Sequence, residues 1–311
     1  MAAGEAQRLY EQTGNPSVIL DAHKMVRKHD LWAGNPHIVY RFTPGRCNRV
    51  ISGSGVRPYI KSKSPERWTW APYTPYPALM IFTADELQFA DKHKGHVVVE
   101  PNVKDVGHTN KAWIKARWQE LVERFPPGTF LQLRSSNHVP VLPGAQWVQT
   151  PSFRHALAVL AVSRGYVGTE GGLMHGAAAV GTPAVILWSE FIAPNITGYA
   201  AHTNIRHAGE PCGRRTDCPG CRKSMEAITV AEVAEAVRAK VSSMPLFSPG
   251  QTVYLAGSGG PLKRADPLLV ERVHAGRPPR YTLSAIKGGH YEQVPEYMLD
   301  AYKPPTTRGR T

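Results

Sequence analysis

Between Gly165 and Trp188 the chain reads as a buried strand, a two-glycine turn, a helix of small residues and a second buried strand. No other segment restricts the fold as much. Tyr166-Val167 and Ala184 to Trp188 are apolar runs, Gly168-Thr169-Glu170-Gly171-Gly172 joins the first run to a helix over 173–180, and Gly181-Thr182-Pro183 closes that helix. A strand, a helix and a further strand in this order define a βαβ crossover and a parallel sheet. In such open sheets ligands settle outside the carboxyl ends of the strands. The first amides of the following helix have no partner there, and its dipole adds partial positive charge. A diphosphate suits that place, and Gly171 and Gly172 let the backbone approach it closely. Two adjacent glycines also suit a plain tight turn. Glu170, placed to accept from ribose or sugar hydroxyls, and His175, one turn into the helix, favour a binding site instead.

The same alternation extends upstream and downstream. Val97 to Val99, Thr129 to Leu133 and Trp147 to Gln149 read as strands. Residues 110–125 read as a helix with Trp113, Ile114, Trp118, Leu121 and Val122 inward, and residues 153–163 and 230–241 read as further helices. Nearer the start, residues 2–12 suggest a helix with Ala2, Ala6, Leu9 and Tyr10 on one face, and Ser17 to Leu20, Val39-Tyr40 and Ala78 to Phe82 suggest strands. After about Ser243 the composition changes: residues 244–311 carry nine prolines and little periodicity, as expected of an extension that wraps the domains and then frays. The expected domains are 1–94, 95–243 and a Pro-rich extension over 244–311.

Lys and Arg number 37 against 24 Asp and Glu, a net charge of +13, which favours anionic partners such as phosphorylated sugars, acidic glycolipids, nucleic acid or a membrane's inner face. No apolar run is long enough to span a bilayer, and Met1 opens into a polar, Ala-rich stretch rather than a signal peptide. The expected location is the cytoplasm, with the inner membrane's surface as an alternative. Of the four cysteines, Cys212, Cys218 and Cys221 fall within ten residues. Their C-x2-C ending is a metal-ligand spacing, with His207, His202 or Cys47 as a fourth ligand for structural zinc; a reduced thiol cluster is the plainer reading.

Gly168-Thr169-Glu170-Gly171-Gly172-Leu173-Met174-His175, the alanine run and Gly181-Thr182-Pro183 resemble the donor-site signature of the ADP-heptose–lipopolysaccharide heptosyltransferases, glycosyltransferase family 9. The family pattern has Asp-Thr-Gly before Leu-x-His; here Glu170 keeps the charge and Gly171 loses the hydroxyl. Asn110-Lys111-Ala112-Trp113 is similar to the family's Lys-x-Trp, whose lysine contacts the donor phosphates, and Ile228-Thr229-Val230 resembles the entry to its closing helix. The resemblance covers residues 95–242. It implies the α/β GT-B fold, two Rossmann-like domains facing across a cleft, with inverting transfer and no required metal or other cofactor. It implies a nucleotide-diphosphate sugar such as ADP-heptose as donor. The implied donor-site residues are Lys111, Thr169, Glu170, Gly171, Gly172, Leu173 and His175.

The family's candidate base, an Asp in a Gly-x-x-Gly-Asp turn after the first strand, has no counterpart here. Met1 falls where the first helix begins, so the N-terminal domain reads as short and lacking its first strand, with Ser17 to Leu20 left as an open edge and coding sequence expected upstream. Asp21, His23 and Asp30 stand near the next strand without a motif, and no catalytic residue is assigned. Arg46 to Trp70 holds six cations against Glu66, with Tyr59, Trp68 and Trp70 interleaved. Within it Arg57, Lys61, Lys63, Arg67 and Trp68 are acceptor-site candidates for an anionic glycan such as lipopolysaccharide core, and equally for nucleic acid; a solvated loop is the bland alternative. Three functions stay open: a heptosyltransferase-like enzyme, a virus-encoded glycosyltransferase acting on modified DNA bases, and a catalytically degenerate nucleotide-sugar-binding protein.

Overall fold

A computed structural model describes residues 1–53, 57–103, 109–136 and 138–243, and the backbone of five strands between Thr252 and Asp300. The chain divides into two compact units, Met1–Arg238 and Ala239–Thr311.

The first unit opens with helix α1 (Ala2–Thr13), closed by Gly14 in the left-handed conformation, φ 70°. Strands β1 (Ser17–Leu20), β2 (Ile38–Val39) and β3 (Asn48–Ile51) form a parallel sheet in the order β2-β1-β3. The expected open edge at Ser17 to Leu20 is therefore corrected: β1 is the central strand, paired on both sides and buried throughout. The inward face of α1 also differs from the periodic reading. Ala3, Gly4, Glu5 and Ala6 are buried, whereas Tyr10 is exposed and stacks on His37 at 3.8 Å. Glu5 is tolerated inside because the Tyr73 hydroxyl and Arg8 both bond its carboxylate.

A twisted hairpin follows, β4 (Ile60–Lys63) and β5 (Trp68–Trp70), with a register shift between Ile60 and Ser62. Its mostly exposed residues give no in–out alternation, so neither strand shows in the sequence. Ala78 to Phe82, expected as a strand, forms none. Pro72, Pro75 and Pro77 lack amide donors, and the following carbonyls are held by side chains instead: Leu79 O by Asn35 and Ile81 O by Arg154. Helix α2 (Ala84–Asp91) begins with a capping box between Thr83 and Glu86.

The larger sheet contains β6 (Val97–Glu100), β7 (Phe130–Arg134), β8 (Gln146–Gln149), β9 (Gly165–Thr169), β10 (Ala184–Trp188) and β11 (Thr203–Arg206), all parallel, in the order β11-β10-β9-β6-β7-β8. Counted within this sheet the order is 3-2-1-4-5-6, the doubly wound Rossmann arrangement. The helices between and after these strands are α3 (Lys115–Glu123), α4 (Phe153–Ala161), α5 (Gly172–Val180), α6 (Pro194–Thr197), α7 (Pro219–Ala227) and α8 (Val230–Ser243). β7, β9 and β10 are buried along their whole lengths, and Val98, Leu131, Tyr166, Ile186 and Trp188 share one core with Leu157 to Leu160 and Met174.

The helix expected over 110–125 is shorter. Thr109–Lys111 is a 3-10 turn, the α-helix starts at Lys115, and Ile114 caps it from outside at 40% exposure. Trp113 is buried ahead of the helix, its indole N–H donating to Ile228 O, and this tertiary bond replaces the helical register.

In the second unit β12 (Thr252–Leu255), β13 (Leu268–His274), β14 (Arg280–Ala285), β15 (His290–Pro295) and β16 (Leu299–Asp300) form an antiparallel sheet ordered β15-β14-β13-β12-β16. This corrects the expectation of little regular structure after Ser243. Register shifts between Val270 and Arg272 and between Tyr281 and Leu283 break the two-residue period that would have revealed the strands.

Candidate functional site

The site lies where the larger sheet reverses its winding, between β6 and β9. Beyond β9 the chain passes Glu170 and enters α5 at Gly171, which bonds the helix through no side chain. The first amides of α5 thus keep their unpaired donors, and Gly171 is extended, so close approach rather than a special dihedral favours the bare residue. A Cβ on Gly171 would come no nearer than 3.9 Å to its surroundings, at Thr169 O.

From the turn after β6, Lys111 reaches across to this strand end and its ammonium pairs with Glu170 Oε2. The two side chains keep 16% and 9% of their surface, which makes the pair largely buried. Lys111 Nζ also lies 4.9 Å from the centre of the Phe191 ring. Burial would push the Glu170 carboxyl up, but Lys111, with His175 and Arg57, outweighs it and holds the group below the usual carboxylate range. His175 bonds the Tyr199 hydroxyl through Nδ1 at 3.0 Å. Burial, reinforced by neighbouring positive charge, pushes its imidazole down to about 3. Thr169 is buried at the end of β9, and Leu173 packs its side chain against the core.

Of the acceptor candidates, Arg57 is the one whose charge acts at Glu170, and it donates to the Tyr59 hydroxyl at 2.7 Å. Lys61, Lys63 and Arg67 are exposed on the hairpin. Trp68 is half-buried: its ring tilts on Phe191 at 6.3 Å and lies 5.3 Å from both Lys63 and Arg215. Phe191 therefore links the hairpin to Lys111. Asp21, expected as one of three unassigned bases, accepts from the amides of His23 and Met25 and closes a turn.

Cys212, Cys218 and Cys221 gather with all three Sγ atoms within 4.8 Å of one another, the last two buried. Hydrogen bonds from the Cys221 and Cys218 thiols and from the Arg214 amide bring the Cys212 thiol down to about 6, while the shared hydrogen bond pushes Cys221 up. Three sulfur atoms this close together are a donor set for a soft cation. None of the proposed fourth ligands joins it among the described residues. His207 pairs with Glu232, His202 packs beside Tyr199, and Cys47 lies by Arg41.

The hairpin is fastened to this cysteine loop. Trp68 N–H donates to Gly213 O at 2.9 Å, and Arg67 Nε donates to Cys212 O at 2.7 Å. Gly213 has φ +59°, and a Cβ there would collide with the Trp68 carbonyl. Gly213→Ala should therefore cost about 2 kcal/mol or more in denaturant unfolding, and the Trp fluorescence of the hairpin should change with it.

Sequence reasoning missed Glu100, the last residue of β6. It is half-buried at the crossing point, and loss of solvent pushes its carboxyl up to about 7, which Asn102 offsets only in part. A lone glutamate after three valines carries no motif; only its place at a strand end beside β9 marks it.

No protein-family model and no curated protein matches the chain. Solved structures do. The chain is similar to the Escherichia coli ADP-heptose LPS heptosyltransferase II at 17% identity and TM-score 0.41, over 55% of each chain. A glycosyl transferase family 9 protein from Veillonella parvula matches at 12% identity and TM-score 0.42, over 54% of this chain and 55% of that one. The E. coli heptosyltransferase WaaC with ADP matches at 17% identity and TM-score 0.37, over 48% and 45%. The chain spans about half the length of these structures.

Proposed function

We propose that residues 95–243 form the donor domain of a glycosyltransferase, that residues 1–94 form its acceptor side, and that the protein moves a sugar, heptose-like, from a nucleotide-diphosphate donor such as ADP-heptose. One observation carries the reading: the buried Lys111–Glu170 pair stands beside the uncapped start of α5 at the crossing point of a Rossmann sheet. The α5 amides and Lys111 would hold the diphosphate, neutralising charge as it leaves. Glu170 would take the ribose or sugar hydroxyls. Transfer would be inverting and without a metal at the reacting centre. The three cysteines would form a reduced thiol cluster, with structural zinc as the alternative.

The acceptor would be an anionic glycan or glycolipid such as lipopolysaccharide core, met on the Arg57, Lys61, Lys63, Arg67 and Trp68 side. The exposed cations of the hairpin also favour a second reading in which modified bases of DNA are the acceptor. Among the described residues no helix is long and apolar enough to cross a membrane, which supports action in the cytoplasm or at the inner membrane's surface.

Thermal-shift measurements with ADP-, UDP-, GDP- and CMP-sugars test the donor reading. One family of nucleotide sugars should raise the melting temperature by several degrees, as binding well above Kd stabilises by about 3 kcal/mol. No shift with any of them would overturn it.

A further inference from the structure

We propose that Glu100, in its neutral carboxylic acid form, donates a hydrogen bond to the diphosphate of the bound nucleotide sugar, so that ionisation of Glu100 weakens donor binding. This rests on the reading of the β6–β9 crossing point as the nucleotide-sugar site. Glu100 ends β6 and stands in register opposite Gly168 of β9, two residues before Glu170. Gly168 is what makes the space: a Cβ there would strike the Tyr166 hydroxyl and come within 3.3 Å of Glu100 Cβ. Glu100, the Tyr166 hydroxyl and Glu170 thus converge on the carboxyl ends of the two strands where ligands of this fold bind.

The carboxyl of Glu100 accepts one backbone hydrogen bond, from Asn102 N to Oε1 at 2.8 Å, and has no ion-pair partner among the described residues. A desolvated carboxyl with so little support holds its proton to higher pH than an ordinary one. The titratable groups facing it on β9 are Tyr166, itself raised by burial, and Glu170, whose charge Lys111 already balances. On β7, Arg134 at the strand end is engaged with Val139 O and lies over the Trp147 ring. His175 and Arg57 act on Glu170 rather than on Glu100. Two carboxyls at one strand end are thereby shifted in opposite directions, Glu170 below the usual carboxylate range and Glu100 above it, a division that suits hydrogen-bonding and proton-holding roles. A neutral carboxyl offers the diphosphate a strong O–H donor, whereas its anion would add a like charge beside it.

The test is calorimetric titration of the full chain with ADP-glucose, a diphosphate diester that does not itself titrate in the range used, from about pH 6.5 to about pH 9. Wild-type affinity should fall with rising pH, by up to roughly tenfold per unit once Glu100 ionises. Glu100→Gln keeps an N–H donor and cannot ionise, so its affinity should be flat over the same range and should exceed the wild type's at the alkaline end. As a check on folding, the same variant should melt higher than the wild type at alkaline pH, since an ionised buried carboxyl is removed. A flat wild-type profile, or the same slope in Glu100→Gln, would overturn the inference while leaving the site reading intact. Absence of binding at every pH would overturn both.

Discussion

Lys111→Met should destabilise the protein by about 3–5 kcal/mol at neutral pH and weaken nucleotide-sugar binding by roughly 10- to 100-fold, the worth of a charged hydrogen bond. The substitution leaves Glu170 as a buried carboxylate whose ammonium partner is gone. The pH dependence follows from the depressed Glu170 group. A carboxyl lowered by folding contributes stability above its unfolded range and loses that contribution as pH falls through the folded value. The gap between wild type and Lys111→Met should therefore be widest at neutral pH and close in acid, where Glu170 takes up a proton in the variant. Adding Glu170→Gln should restore most of the stability and none of the donor affinity. This double cycle separates the structural work of the pair from its work on the ligand. Equal donor affinity in Lys111→Met and wild type would place the phosphates elsewhere.

The second large effect is expected at Arg154, at the first turn of α4. Its guanidinium bonds both oxygens of Glu86, at 2.6 and 2.8 Å, and also the carbonyls of Asp30, Leu31, Ala33 and Ile81. Each side chain of the pair keeps 8% of its surface. One arginine thus ties α4 of the larger sheet to α2, to the 3-10 turn after β1 and to the proline-rich segment before α2. Arg154→Ala should cost about 3–5 kcal/mol, because it strands a buried carboxylate and frees four carbonyls at once. Arg154 is also the main cause that holds the Glu86 carboxyl down to about 2, against the opposing effect of burial. This contribution is complete above the ordinary carboxylate range and disappears as pH falls from about 4.5 towards about 2. Urea unfolding of wild type and variant at neutral and acid pH should show the difference shrinking over that interval. An unchanged difference down to the acid end would mean that Glu86 is not the partner that matters.

β6, β7, β9 and β10 were legible because they are apolar runs broken by glycine and proline, a pattern that burial on both faces imposes, whereas the polar, partly exposed β11 was not read from the sequence. The start of α5 was legible for the same reason, with the glycine pair as punctuation. Lys111 was visible only through its motif: a lysine in a 3-10 turn has no periodicity, and its partner lies 59 residues away. The Arg154–Glu86 pair spans 68 residues and left no local trace at all. The hairpin β4–β5 escaped because solvent on most of its surface removes alternation, and the strands of the second unit escaped because register shifts interrupt it. Glu100 needed the strand order itself. What sequence periodicity reports is burial, so contacts between elements that are polar, or that depend on topology, remain outside its reach.

A bound diphosphate is expected on the first amides of α5, beside Lys111. A crystal structure of the full chain with ADP-glucose tests it most directly. Phosphate oxygens should lie within hydrogen-bond distance of the Gly172 and Leu173 amides, with Lys111 Nζ turned toward them. A nucleotide bound with its phosphates away from α5, and Lys111 still paired only to Glu170, would contradict it.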